Sequence, residues 1–462
     1  MSHVNPRTGR RLLLESLEDR QLMAGITLST GGFLQIQGTG GKDTAQVSVS
    51  GSSVKAVLNN QSKTYSASSV KAITFYGGDG DDTFRNLTSI FADIHGEGGR
   101  DSLYGGPGSD FLEGGPGDDQ LDGGKGNDVY KFVGSSLGAD TITDAAGVDT
   151  IDLSDRGGGN TLDLSRTGLQ VVRSGNLSLN LKSGSAIENV GGSKYDDIIF
   201  GNSLANTLLG NGGNDRLYGR GGADTLEGGS ADDALFGGAG SDMLRGGSGE
   251  DRLLVQSGDS TPDFNNTYDA KINFVNGNST WTDKEIEVVD EAFAKMYNRV
   301  GNQLLATDPV TGAMTFKKVN VTEFSGRNSL KNGVRTIEID EWNESNTAEN
   351  TSRISTVIHE MGHNWDNELT DLGVFNQFMK ISGWTQKKPT SGSYTKSKDG
   401  EWWYKSSASF ARDYGRTNPR EDWSTTWQAY FDAGYSSSSP IAAKLKIVDG
   451  VLDWIQQGAP LF

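Results

Sequence analysis

GNGGNDRLY GRGGADTLE GGSADDALF GGAGSDMLR GGSGEDRLL is the run from Gly210 to Leu254, set out in blocks of nine. Asp215, Asp224, Asp233, Asp242 and Asp251 stand at the sixth place of successive blocks. An apolar residue follows each by two, Leu217, Leu226, Leu235, Leu244 and Leu253, and a glycine precedes each by five. Asp101, Asp110, Asp119 and Asp128 keep the same register, with Leu103, Leu112 and Leu121 behind the first three. Glycines permit a tight turn and leave carbonyls facing an ion, the aspartate supplies a hard anionic oxygen, and the apolar residue points inward between coils. A parallel β-roll that binds calcium through these nine aspartates is expected. A flexible glycine-rich linker has no reason to hold a nine-residue period.

The nonapeptide resembles the G-G-x-G-x-D-x-U-x unit of the repeats-in-toxin family, and that resemblance implies several structural calcium ions. Copies vary: Arg220 and Ala231 replace turn glycines before Asp224 and Asp233. Asp197 and Asn206 keep the period with most glycines lost and read as a degenerate entry cap, and Asp82 as an isolated outlying copy. Alternating stretches at 47–49, 73–75, 150–153 and 177–181 predict half-buried strands that extend the roll.

The chain has 462 residues, four histidines and no cysteine. Two of the histidines lie in Val357-Ile358-His359-Glu360-Met361-Gly362-His363. On a helix this spacing sets both imidazoles on one face, one turn apart, beside a glutamate. Two nitrogen ligands and a carboxylate that takes a proton from the attacking water form the H-E-x-x-H arrangement of a zinc peptidase. Ile354, Val357, Ile358, Met361 and Trp365 recur at helical spacing and predict a helix over about 347–366. Two solvated histidines on a surface helix would give the same spacing.

No further histidine occurs in the C-terminal half, so the third ligand is expected to be a carboxylate. Glu368 is too close to His363 to fold back, and Glu401 lacks a helical start signal. Glu421 is better placed: Asn418 reads as an N-cap and Pro419 as the first helical residue, so Glu421 falls in the first turn. Tyr414-Gly-Arg-Thr-Asn-Pro-Arg-Glu421, downstream of H-E-x-x-H, resembles the catalytic domain of lethal-factor-type zinc metallopeptidases, within the gluzincins. That resemblance, carried by about 25 residues, implies His359, His363 and Glu421 as zinc ligands, Glu360 as the base and Tyr414 as a hydroxyl over the metal. Trp423-Ser424-Thr425-Thr426 departs from the aromatic and acidic residues usual after the ligand. An arrangement using Asp413 as ligand is the rival.

Thr282-x-x-Glu285 is a capping box, with Trp281 stapling onto Ile286, and it predicts a helix that ends before Gly301. Residues 313–324 and 334–342 read as strands, the second being the candidate to pair with extended substrate.

Sixty acidic and 42 basic residues give a net charge of −18. Residues 264–462 hold 25 acidic and 21 basic, net −4, leaving −14 on the first 263. The acid excess sits where calcium would neutralise it, and it disfavours nucleic acid or anionic membrane as a partner. No run of about 18 apolar residues predicts a transmembrane segment. Disulfides are excluded, whereas calcium clips suit an extracellular setting. Arg10 to Ala24 lacks the uncharged core of a standard secretion signal. It resembles the E-x-L-E-D-R-x-L-x-A element that opens many surface and secreted bacterial proteins.

The expected organisation is multidomain: 1–25 targeting segment, 26–95 β-rich segment, 96–134 first repeat array, 135–195 β-rich spacer, 196–255 second array, 256–263 linker and 264–462 an α+β zincin-like domain. The expected function is that of a secreted or surface-displayed bacterial zinc endopeptidase acting on protein or peptide substrate. The alternative is a calcium-dependent adhesion or matrix protein whose zincin domain is inactive or self-processing.

Overall fold

A computed structural model describes residues 24–263, 270–276, 281–300, 313–319, 326–331, 334–340, 354–359, 394–398, 401–405, 419–433 and 441–448. It also describes the single positions 363, 379, 381, 384, 386, 408, 410, 411 and 439. The chain divides into two compact units, one ending at Asp149 and taking in Gly175–Lys182, the other holding Thr150–Ser174 and everything from Ser183.

Unit one opens with antiparallel pairs, Gly25–Leu28 on Phe33–Gln37 and Thr44–Ser50 on Ser53–Leu58. It then winds into parallel coils. Leu103 pairs in register with Leu121, and Leu112 with Ile94 and Tyr130, so one coil takes 18 residues and two nonapeptides. The predicted inward residues Leu103, Leu112 and Leu121 are buried, as are Phe75, Phe84, Ile94 and Tyr130 stacked with them. Strand alternation at 73–75 and 177–181 is observed as predicted, with Ile73, Phe75, Leu177, Leu179 and Leu181 inside, whereas at 47–49 only Val47 is inside and Val49, near the strand end, is exposed.

Unit two repeats the design and then departs from it. One parallel sheet contains Thr207–Gly212, Thr225–Ser230 and Met243–Ser248, and its outward positions, mostly polar, are half-buried or exposed. The opposite sheet contains Arg216–Tyr218, Ala234–Phe236 and Arg252–Val255, and its outward positions are buried too, apart from a half-buried Arg216. It does not stop at the last repeat. Arg252–Val255 pairs in parallel with Ala270–Asn276, which pairs with Ala313–Val319, and that with Val334–Asp340. The expected linker 256–263 therefore interrupts no hydrogen-bonded layer: Ser260 bridges back to Met243, and the sheet carries on beyond it.

The covered face explains the continuity. Tyr218, Phe236 and Leu254 share one core with Ile272, Phe274, Trp281, Val289, Phe293, Phe316, Ile358, Trp423 and Trp427. Each such side chain taken fully from water contributes about 1.5–3 kcal/mol. Polar contact reinforces it. Asp290, buried on the Asp283–Val300 helix, takes Arg216 Nη2 at 2.8 Å, Arg252 Nη2 at 2.6 Å and the Tyr218 hydroxyl at 2.6 Å. Burial alone would raise its pKa, but the two guanidiniums and the phenol hold the carboxyl far below the usual range. Losing one partner of such a buried pair costs about 3–5 kcal/mol. The helix itself starts on the predicted capping box: Thr282 N–H donates to Glu285 Oε2 at 3.0 Å and Glu285 N–H to Thr282 Oγ1 at 3.3 Å.

Arg220 and Ala231, which replace turn glycines, hold φ of 75° and 80°, in the left-handed region that costs a side-chain-bearing residue about 1–2 kcal/mol. Ala231→Gly is expected to stabilise the calcium-loaded protein by up to about 1 kcal/mol after the added freedom of the unfolded chain is subtracted. Thermal unfolding in calcium measures this, and a lowered midpoint would contradict it.

Candidate functional site

The repeat aspartates are tied into ladders by the backbone. Along one line Asp82, Asp101 and Asp119 each donate an N–H to Oδ1 of the next aspartate, Asp101, Asp119 and Asp140, at 2.8–2.9 Å. Asp110 and Asp128 donate likewise to Asp128 and Asp149. In unit two, Asp197, Asp215 and Asp233 donate to Asp215, Asp233 and Asp251, and Asn206 and Asp224 to Asp224 and Asp242. All nine predicted aspartates thus stand in ladders, and all are buried.

The other oxygen decides what the ladder is for. In Asp101, Asp110, Asp119, Asp128, Asp215 and Asp233, Oδ2 is buried without a hydrogen-bond partner. A buried polar oxygen left so costs several kcal/mol unless something charged compensates it. The turn glycines show where that compensation fits: a Cβ on Gly105 would lie 2.7 Å from Asp110 Oδ2 and 2.7 Å from the carbonyl oxygen of Gly123 in the next coil. Carboxylate and carbonyl oxygens from adjacent coils therefore face one small space, a donor set of hard oxygens suited to calcium. A family model for the RTX calcium-binding nonapeptide repeat matches residues 74–85, 95–130 and, in overlapping copies, 191–261.

The chain carries calcium-binding RTX repeats.

A second family model, described as Planctomycete extracellular, matches residues 8–26. No curated protein matches the chain. The RTX repeats and the extracellular element together point to a secreted or surface protein. Among the described residues no helix is long and apolar enough to cross a membrane.

The RTX ladders reach further than the nonapeptide register indicated. Asp82, expected to be isolated, accepts the Asp43 N–H at 2.7 Å and is a full rung. Asp197, expected to be a degenerate cap, accepts the Asn160 N–H at 2.6 Å and joins the second ladder. Asp140 and Asp149 end their lines at a spacing of 21 where the rungs from Asp82 to Asp119 and from Asp110 to Asp128 keep 18 or 19, because three residues are added to that coil. Asp149 also gathers with Asp128 and Asp144, their ligand oxygens lying within 4.8 Å of one another. A search allowing 18 plus three residues would have found both terminal rungs.

Residues 354–359 are helical, inside the helix predicted over 347–366, and His363 is helical too. His359 and His363 rings are 5.1 Å apart. The Pro419–Ala433 helix begins at the expected proline. From its first turn, Glu421 Oε2 lies 3.2 Å from His359 Nε2 and 3.5 Å from His363 Nε2. Donor atoms around a tetrahedral divalent cation sit about 3.3 Å apart, so two imidazoles and this carboxylate suit one. Burial would raise the Glu421 pKa, but hydrogen bonds from His359 and His363 outweigh it and hold the carboxyl at about 2, ionised at neutral pH. Glu360, Tyr414 and Asp413 lie outside the described residues.

Asp422, next to Glu421, is buried and accepts Lys444 Nζ at 2.7 Å and Trp384 Nε1 at 2.9 Å, which pins the start of the helix. The departure at 423–426 has a packing reason. Trp423 is core, and the Thr425 and Thr426 hydroxyls donate back to the carbonyls of Glu421 and Asp422 at 2.8 and 2.7 Å. The substrate-pairing strand requires a correction. Val334–Asp340 is hydrogen-bonded on both sides, by Ala313–Val319 and by the antiparallel Gly326–Lys331. Among the described residues Gly326–Lys331 is the strand that ends the sheet.

Burial raises Asp110, Asp119 and Asp128 to about 7, Asp215 to about 8 and Asp233 to about 9. In calcium-free protein these folded carboxyls hold protons that the unfolded chain releases above about 4. Their stabilising contribution is complete below that value and is lost as pH rises through about 7 to 9. Circular dichroism in chelator is expected to show more β-structure at about pH 5 than at about pH 8, and calcium to remove the difference. Greater order at the alkaline end without calcium would contradict this.

Proposed function

We propose that the chain is a secreted or surface-displayed zinc-dependent endopeptidase whose RTX repeats form a calcium-bound scaffold. The observation that carries this reading is the approach of His359, His363 and Glu421, drawn from segments far apart in sequence, to the spacing of one tetrahedral metal site. Zinc held by these three side chains would polarise a scissile carbonyl and lower the pKa of water toward about 7.

The protein groups then have separate tasks. Glu421 stays ionised and fixes the donor set, with Asp422, Lys444 and Trp384 holding its helical turn in place. Glu360, one residue beyond His359, accepts the proton of the attacking water and delivers it to the departing amine. The Tyr414 phenol donates to the oxyanion that develops on the carbonyl. Gly326–Lys331, which among the described residues ends the sheet, would offer backbone donors and acceptors to an extended peptide. The substrate class is therefore an unfolded or loop segment of a protein.

Glu360→Gln is expected to lower cleavage of a proteome-derived peptide mixture by about 100- to 10,000-fold while leaving the circular dichroism spectrum unchanged. Equal cleavage by both proteins would remove the peptidase reading and leave a calcium-dependent adhesion or matrix protein. Elemental analysis gives an independent check. Wild type should retain zinc through dialysis and Glu421→Ala should lose it, and a wild type without bound zinc would count against the site.

A further inference from the structure

Two arginines grip Asp290, and each directly follows a ladder aspartate: Arg216 after Asp215 and Arg252 after Asp251. Their own backbone is part of the coil. Arg216 N–H donates to the Asp197 carbonyl at 2.9 Å and Arg252 N–H to the Asp233 carbonyl at 2.7 Å. Tyr218 lies on the Arg216 strand and donates its hydroxyl to the same carboxylate. The turns that would hold calcium therefore set the position of the three groups that bind Asp290 on the Asp283–Val300 helix.

We propose that calcium bound along the Asp197–Asp215–Asp233–Asp251 line acts on the C-terminal segment as well as on the roll. It completes a receptor for that helix and an edge for the strand Ala270–Asn276. Without calcium, buried carboxylates in neighbouring coils must take up protons or separate, and the turns loosen. Arg216, Tyr218 and Arg252 then no longer converge, and Asp290 loses its counter-charges in a dry environment. The hydrogen-bonding edge at Arg252–Val255 is lost in the same event.

The effect passes onward through contacts of the same unit. Phe293, on the Asp290 helix, shares a core with Trp423 and Trp427, and Lys295 Nζ reaches Asp432 at 2.6 Å on the helix that carries Glu421. Calcium thereby favours the arrangement in which Glu421 meets the two histidines. Linkage requires the reverse as well: a docked C-terminal segment tightens calcium on this side of the roll. The inference rests on calcium binding by the repeats and not on peptidase activity.

Amide hydrogen exchange of the full chain, in calcium and in chelator, tests it. Peptides from 283–296 are expected to exchange about tenfold or more slowly with calcium, in step with the strands at 207–212 and 225–230. Asp290→Asn should lose most of that response while the roll strands keep theirs. If this variant does not fold, Arg216→Gln, a change at a partly exposed side chain, serves for the second arm with a smaller loss. Roll strands that respond to calcium while 283–296 exchanges equally fast in both conditions would overturn the proposal. So would a variant that keeps the full response. Cleavage and zinc results alter neither outcome.

Discussion

A carboxylate buried with one oxygen satisfied and the other bare is an unstable arrangement, and the first half of this chain repeats it coil after coil. Oδ1 is committed to the backbone N–H of the preceding coil, so the side chain cannot rotate away to find another donor. At Asp101, Asp110 and Asp215, Oδ2 shares the space beside a turn glycine with the glycine carbonyl of the next coil. Only protonation or a cation resolves this, and calcium matches the oxygen donors and the charge excess together. The roll is a scaffold whose apolar interior is thin and whose turns need an ion.

That requirement extends past the repeats because the second array has two unlike faces. On the Thr225–Ser230 side the outward residues Thr225 and Glu227 are only half-buried, whereas on the Arg216–Tyr218 side Tyr218 and Phe236 are covered completely. The C-terminal strands extend this covered sheet, and the Asp283–Val300 helix packs into the same core. The result is one compact unit holding both the second array and the candidate metal centre. A calcium site and a histidine–carboxylate cluster are thus connected by a hydrogen-bonded sheet, a buried ion cluster at Asp290 and a shared aromatic core.

Much of this was legible in the sequence. The nonapeptide register locates the ladder aspartates and the inward leucines, because period and chemistry repeat together. The capping box at Thr282 and the proline at 419 set two helix starts, because capping is local. The pairing of Glu421 with His359 was readable by elimination, since a chain with so few histidines leaves few ligands. Other features were hidden. Asp140 and Asp149 escape a strict period when three residues are inserted. Strand order is a tertiary property, so alternation at 334–342 could not tell an inner strand from the outer one at Gly326–Lys331. The joining of roll and C-terminal segment had a signal that a search for separate domains passes over. Tyr218, Phe236 and Leu254 recur at an outward position every 18 residues, and an apolar outward stripe implies a partner lying on it.

The central claim is that the bare oxygens of the ladders are calcium ligands. A crystal structure grown in calcium, with anomalous diffraction measured, tests this most directly. Anomalous peaks are predicted between Oδ2 of Asp101, Asp110 and Asp215 and the glycine carbonyls of the following coils, and beside Oδ2 of Asp119, Asp128 and Asp233. Well-ordered turns with no ion density there, and with carboxyl groups hydrogen-bonded to those carbonyls as neutral acids, would contradict the account.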